Sequence, residues 1–221
     1  MAGSARGLFR ATGKTAHDVP VMLLDGSFEK GEAVREADDF YPTPPEPTQA
    51  FLAAELPKLR GFQTIWEPAA GDGAMVREME ALGFTVAKSD LIDRGCGATI
   101  RNFYEYQKST APSSVIITNP PFAECNRDPG WVRHAMEIGT EYMALLLPVN
   151  WLGAAGRAAL WAQYPPARIY LMRWRIDFTG QGAPPMLNAW FVWDRTHEGE
   201  PVIRMLDKAD ARQVEMFGDA A

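Results

Sequence analysis

The chain reads as an α/β fold with a mostly parallel sheet, helices on both faces and an antiparallel closing hairpin. Three observations carry this expectation. Apolar runs of strand length, Thr64-Ile65-Trp66, Val115-Ile116-Ile117-Thr118 and residues 143 to 147, alternate with stretches of helical periodicity. The first run leads into a loop of small residues, Glu67-Pro68-Ala69-Ala70-Gly71-Asp72-Gly73, and then into a helical stretch over 74 to 82. Strand, small-residue loop and helix in that order open the Rossmann-like domains, where glycines let a ligand approach the backbone. Near the end, residues 168 to 174 and 189 to 194 pair as a hairpin, which places the last strand antiparallel.

In chain order, residues 1 to 38 show little periodicity and are expected to form a flexible or loosely docked arm, with a single domain over 39 to 221. Gly13-Lys14-Thr15 resembles the end of a phosphate-binding loop, but the earlier glycine that such a loop requires is replaced by Leu8. Pro42, Pro44, Pro45 and Pro47 hold the next segment extended. Thr48 then caps a short helix with Phe51, Leu52 and Leu56 on its apolar face, and Pro57 terminates it. After the glycine loop and its helix, Thr85-Val86-Ala87-Lys88-Ser89 forms a second strand ending in Asp90. Helices are expected over 131 to 139 and 154 to 163.

The strand 115 to 118 stops at Asn119-Pro120-Pro121-Phe122, because two successive prolines cannot continue a ladder. Asn119 is therefore presented at a carboxyl strand tip, where open α/β sheets bind ligands. Its side-chain oxygen and the Pro120 carbonyl make two acceptors suited to an exocyclic amino group, and Phe122 can stack on the ring that carries it. By itself the tetrapeptide fits a strand-ending turn with a packed Phe equally well. The glycine loop does not have the dinucleotide spacing, since position 76 is Val76, and the carboxylates of Glu67 and Asp72 would repel a pyrophosphate. They suit a ligand bearing an ammonium and hydroxyls. Asp90 lies about twenty residues past the loop, the place of a ribose-binding carboxylate.

Glu67 to Gly73, Asp90, and Asn119 to Phe122 resemble motifs I, II and IV of S-adenosylmethionine-dependent methyltransferases that modify amino groups. More narrowly, the chain resembles the compact adenine-N6 DNA methyltransferases of bacteriophages and prophages. Phe40-Tyr41-Pro42-Thr43-Pro44 resembles motif X of that family, and Asp177-Phe178-Thr179-Gly180-Gln181-Gly182 with Ala189-Trp190-Phe191-Val192-Trp193-Asp194 resembles its closing hairpin. The resemblance covers residues 38 to 196. It implies a class I methyltransferase with a seven-stranded sheet, S-adenosylmethionine as cofactor and double-stranded DNA as partner. It further implies a cofactor site of Tyr41, Thr43, Glu67, Ala69, Gly71, Asp72, Gly73, Asp90, Leu91 and Phe103. The implied catalytic residues are Asn119, Pro120, Pro121 and Phe122, acting on a flipped adenine. Motif IV of the family often begins with Asp where this chain has Asn119, and Asn-Pro-Pro-Phe occurs also in ribosomal-RNA guanine-N2 methyltransferases. The alternatives are an RNA or protein-glutamine methyltransferase, or a catalytically silent cofactor-binding protein.

Composition fits these readings. At 221 residues, 47% hydrophobic and 23% charged, the chain is long enough for one substantial core. Cys96 and Cys125 have no metal-ligand spacing to each other or to His17, His134 and His197, so no metal is expected. No membrane-length apolar run or secretory h-region is present, so cytoplasmic residence is expected. The net charge of −6 runs against phosphate binding, but Arg157, Arg168, Arg173, Arg175 and Arg195 fall late in the chain, and charge distribution outweighs its sum. An extended Arg173-Trp174-Arg175 would place both guanidiniums on one face. Trp190 and Trp193 are expected to pack the sheet rather than read bases. Sequence preference would come from loops at 123 to 130, 148 to 156 and 179 to 187, because the tail after 196 is too short for a recognition domain.

Overall fold

The computed structural model describes residues 21–22, 28–29, 42–125, 130–153, 155–178, 180, 182 and 186–211. Two compact units are present, Met1–Ala37 and Asp38–Ala221. In the first, β1 (Val21–Met22) and β2 (Phe28–Glu29) pair antiparallel. The Gly13 to Thr15 segment, most of the expected arm and Tyr41 lie outside the described residues.

The second unit is built on an eight-stranded sheet in the order β10-β8-β9-β7-β6-β3-β4-β5. Its strands are β3 (Thr64–Glu67), β4 (Thr85–Asp90), β5 (Thr99–Ile100), β6 (Val115–Thr118), β7 (Tyr142–Pro148), β8 (Arg168–Met172), β9 (Asn188–Asp194) and β10 (Val202–Leu206). All neighbours run parallel except β9, which is antiparallel to β7 and β8. The expected α/β architecture with its antiparallel closing strand is therefore observed. The strand count departs from seven because β10 adds an edge parallel to β8. That strand escaped the sequence reading because residues 202 to 205 are all exposed, so no buried face imposes an alternation.

Helices α1 (Pro45–Leu59), α2 (Ala74–Ala81), α4 (Gly130–Glu137) and α5 (Ala158–Gln163) cover the sheet, with the single turn α3 (Phe122–Cys125) after motif IV. Side chains alternate between the two faces as the pleat requires. Ile65, Ile117, Ala144, Leu146, Trp190 and Val192 join Phe51, Leu52 and Leu59 of α1 and Met75 and Met79 of α2 in one core layer. Trp66, Ile116, Met143, Leu145, Phe191 and Trp193 join Trp131, Val132 and Ala135 of α4 and Leu160 of α5 in the other. Trp190 and Trp193 are packing residues: both are buried, and their indoles donate to the carbonyls of Pro47 and Tyr164.

Three local expectations are corrected. Helix α1 begins at Pro45, not after a Thr48 cap, because proline at the first helical position has the right φ and lacks only an N–H that would be unpaired there. It also runs through Pro57 to Leu59, since the fully buried Leu59 keeps the last turn on the sheet. Strand β8 ends at Met172, so Arg173-Trp174-Arg175 is a bend. Trp174 packs against the core there, while Arg173 and Arg175 are exposed and Arg173 meets Asp207 at 3.4 Å.

At the amino-terminal edge of the central strands, the Glu55 carboxylate is 3% exposed and gathers four donors. Arg168 donates through Nε at 2.7 Å and Nη2 at 3.0 Å, Tyr142 donates at 3.1 Å, and the Tyr170 hydroxyl donates to Oε1. Arg168 also reaches Asp194 at 3.0 Å, and Lys58 lies 3.1 Å from the other Asp194 oxygen. Burial opposes ionisation of Asp194, but bonds from Thr196, Arg168 and Lys58 overcome it and hold the carboxyl at about 2. Burial, together with the hydrogen bond and charge of Glu55, pushes Tyr170 up to about 12, so its hydroxyl stays a donor.

Glu55→Ala leaves a buried guanidinium and two buried phenols short of their acceptor. The expected loss is about 3–5 kcal/mol in chemical denaturation, the range for breaking one side of a buried pair. A loss under about 1 kcal/mol would show that water or Asp194 replaces the carboxylate.

Candidate active site

Parallel strands β3, β4 and β6 deliver their carboxyl ends to one edge, and a cavity of about 230 Å³ opens there. Its wall includes Thr43, Glu67, Ala69, Gly71, Asp72, Asp90, Leu91, Phe103, Asn119, Pro120, Pro121 and Phe122. Twelve of the fourteen residues expected from sequence thus converge on one cavity, drawn from positions 43 to 122. Tyr41 lies outside the described residues, and Gly73 is not among the lining residues.

The glycine loop is held from below. Gly71, at φ +56°, donates its N–H to Asp90 Oδ2 at 2.7 Å, and Ile92 donates to Asp90 Oδ1 at 3.0 Å. Ala70 N–H donates to the Ser89 carbonyl at 3.0 Å, while Trp66 Nε1 donates to Ser89 Oγ at the same distance. Asp90 therefore braces the first loop against the second strand. Each of its oxygens has accepted one bond and retains a further lone pair for a ligand hydroxyl. Gly73 serves packing instead. At φ +81°, a Cβ there would sit 2.9 Å from Cys96 Cβ, so glycine lets the start of α2 pack on the next loop. Asp72 accepts from Ala74 N–H at 3.0 Å and lies 3.6 Å from Arg77 Nη2, which ties its carboxylate to the helix start.

Glu67 is 1% exposed. Its Oε1 accepts the Ala69 N–H at 3.1 Å, while Oε2 is buried without a hydrogen-bond partner. Burial, reinforced by the negative charge of Asp90, outweighs the polarity of the Thr118 hydroxyl and the Ala69 N–H and pushes the carboxyl up to about 8. At the tip of β6, Asn119 donates through Nδ2 to Thr43 Oγ1 at 3.0 Å, and its Oδ1 is buried without a partner. Glu67 Oε2 and Asn119 Oδ1 thus lie unpaired among the residues of one cavity. Buried polar atoms normally find partners, and leaving one unmet costs about 1–3 kcal/mol.

Phe103 sits in a 3₁₀ turn whose Asn102 side chain accepts from Tyr104 N–H at 3.0 Å. It is 4% exposed, and one ring face is covered by Trp131 at 4.0 Å and 17°. Leu91, by contrast, is 61% exposed at the rim. The sequence reading did not single out Met75, Ile92, Arg94, Tyr104, Trp131 or Phe178, all of which line the cavity. Phe178 had a signal, since it falls in the loop resembling the family's hairpin. Trp131 had none, because a Trp on the buried face of a helix reads as core.

Among the described residues no cluster of three or more His, Cys, Asp or Glu could hold a metal, and no helix is long and apolar enough to cross a membrane. Burial raises the Cys125 thiol well above its ordinary value, which leaves a protonated, unreactive sulfur.

In the unfolded chain Glu67 titrates near 4.5, and in the folded protein near 8. Between those values the folded state holds a proton that the unfolded chain has released, so this group makes stability fall as pH rises. Glu67→Gln should gain on the wild type between pH 4.5 and 8, by on the order of a few kcal/mol in denaturation midpoints at the alkaline end. Parallel pH profiles for the two proteins would show that Glu67 titrates normally.

By sequence the chain matches no protein-family model and no curated protein. Its fold matches solved structures. A candidate class I S-adenosylmethionine-dependent methyltransferase of Listeria monocytogenes aligns over 86% of this chain and 75% of its own, with TM-score 0.52 and 14% identity. A candidate RNA methyltransferase of Pyrococcus horikoshii aligns over 71% and 88%, with TM-score 0.52 and 15% identity. The type I restriction-modification methyltransferase subunit of Streptococcus thermophilus aligns over 86% of this chain at TM-score 0.54 and 13% identity, and the chain spans 54% of that subunit. At these identities the likeness is one of fold: the chain has the Rossmann-like architecture that class I S-adenosylmethionine-dependent methyltransferases share.

Proposed function

We propose that the protein transfers a methyl group from S-adenosylmethionine to the N6 amino group of adenine in DNA, with the target base flipped out of the duplex. The observation that carries this reading is the buried, unpartnered Oδ1 of Asn119 at the tip of β6. It neighbours the Pro120 carbonyl in sequence and the Phe122 ring in the cavity wall.

The residues present fit the cofactor. Asp90 would offer lone pairs to ribose hydroxyls, and the buried, unpaired Oε2 of Glu67 would offer an acceptor to the methionine ammonium. An arriving cation favours ionisation of Glu67. Leu91, exposed at the rim, and Phe103, stacked on Trp131, would hold the adenine ring of the cofactor. The bound cofactor supplies an electrophilic methyl on a sulfonium, a good leaving group, so the chain contributes position and alignment rather than a strong base.

At the acceptor end, Asn119 Oδ1 and the Pro120 carbonyl accept the two hydrogens of the amino group. This leaves the nitrogen lone pair directed out of the plane of those bonds. The bond from Asn119 Nδ2 to Thr43 fixes the amide, and Pro121 stiffens the turn. Phe122 and Phe178 are the aromatic walls for the base. Because Oδ1 is closed off, admitting the base needs a small movement of the residues over it. A base must leave the stack to reach such a site, and the helical stack prevents access otherwise.

The resemblance to adenine-N6 enzymes and the restriction-modification neighbour favour DNA. The Pyrococcus neighbour keeps an RNA acceptor as the second reading. Transfer of labelled methyl to unmodified DNA and to RNA, followed by nucleoside analysis, separates the two, and N6-methyladenine in DNA is expected. Label confined to RNA or protein would retain the cofactor site and overturn the acceptor. No transfer to any acceptor would leave a binding protein. In Asn119→Ala, cofactor affinity should stay within about two-fold while turnover falls by about 10² or more, the scale for losing one positioned group. Turnover near wild type would remove Asn119 from the chemistry.

A further inference from the structure

A second cavity, of about 390 Å³, lies beyond the carboxyl end of β7, and Phe122 lines both it and the first. Its apolar walls come from Leu147 and Pro148 at the end of β7 and from Met186 just before β9. Its polar groups come from the 3₁₀ turn Val149–Gly153 and the turn after it. Asn150 is exposed, Trp151 Nε1 is buried without a partner, and Arg157 is half-buried. The Arg157 guanidinium is held in place: Nη1 donates to the Trp151 carbonyl at 2.6 Å, and the group lies 4.8 Å from the centre of the Trp151 ring. Burial draws Arg157 below the usual guanidinium value, as expected for a charge kept partly out of water.

We propose that this second cavity seats the nucleobase next to the methylated one and reads it as guanine through Arg157 and Asn150. The inference rests on the nucleic-acid reading of the first cavity and names the specificity site that goes with it. Two cavities that share Phe122 in their walls suit two neighbouring bases of one strand. The half-buried Phe122 and Pro148 offer apolar surface to the face of any base, so selection falls to the edge. A fixed guanidinium beside an amide supplies donors, and on the edge that a base pair leaves open in the major groove guanine alone presents two acceptors, O6 and N7. The exocyclic amino groups of adenine and cytosine would turn a donor towards the same cation, which selects against them.

The test is binding, by fluorescence anisotropy, of short DNA and RNA oligonucleotides with a central adenine. Each neighbouring position carries guanine, 7-deazaguanine or adenine in turn. Wild-type protein is expected to prefer guanine at one neighbour by about ten-fold or more, with 7-deazaguanine losing most of that. Arg157→Gln should flatten the preference while S-adenosylhomocysteine binding stays unchanged. Asn150→Ala, on an exposed side chain, should reduce the preference with no change in thermal midpoint, which covers the case where Arg157→Gln unfolds the turn. Equal affinity for every neighbour in the wild type would overturn the proposal. So would a uniform loss in Arg157→Gln with a shallower salt dependence, the mark of a phosphate contact. Methyl transfer to the same oligonucleotides is scored separately. A guanine preference without methylated product would sink the acceptor reading and keep this site, whereas N6-methyladenine without any neighbour preference would do the reverse.

Discussion

The Glu55 carboxylate is the point on which the rest of the unit hangs. Helix α1 carries it into the layer between helix and sheet, and Arg168 and Tyr170 on β8 and Tyr142 on β7 all donate to it. Asp194 at the end of β9 joins through Arg168. One anion therefore holds the helix to two strands and, through that arginine, to the antiparallel strand between them. A buried ion cluster of this kind does little for net stability against an apolar equivalent, but its geometry admits one arrangement. Here that arrangement sets α1, and the chain entering α1 delivers Thr43 to Asn119 across 76 positions of sequence.

At the opposite edge of the same sheet, on β3, β4 and β6, the logic is reversed. Around Glu55 every lone pair in view has a donor, whereas at the strand tips Glu67 Oε2 and Asn119 Oδ1 have none. The free energy retained in those two acceptors comes from their burial, and burial is also what raises Glu67 to about 8. Asp90 differs from both. It is half-buried and already engaged by two backbone N–H groups, so it acts first as the brace that shapes the glycine loop. Shape at the loop and unmet polarity at the tips are the two features on which the proposed cofactor and acceptor rest.

The helices and strands that pack on both sides were legible because period and burial coincide in them. β6, with all four residues buried, and β7, with six of seven buried, are examples. Strand β10 was not legible, since an exposed edge imposes no alternation, and neither was the two-residue β5. The start of α1 was misjudged because four prolines in six positions obscure a helix whose first turn tolerates them. Arg173 and Arg175 lost their expected common face because β8 ends before them.

For the site, residue order alone dictates which residue types stand at the strand tips: proline stops β6 at Asn119, and glycine permits the turn before α2. Those are local effects of backbone sterics and are written in neighbouring residues. Folding governs what each group has left to offer. Whether an acceptor is paired, as in Asp90, or orphaned, as in Asn119, depends on residues tens of positions away. The same holds for Phe103, whose ring face is taken by Trp131, and for Gly73, which answers to Cys96 rather than to a ligand. Hydrogen bonds and burial across the sheet are pairwise facts of three-dimensional packing, and one chain's residue order does not contain them.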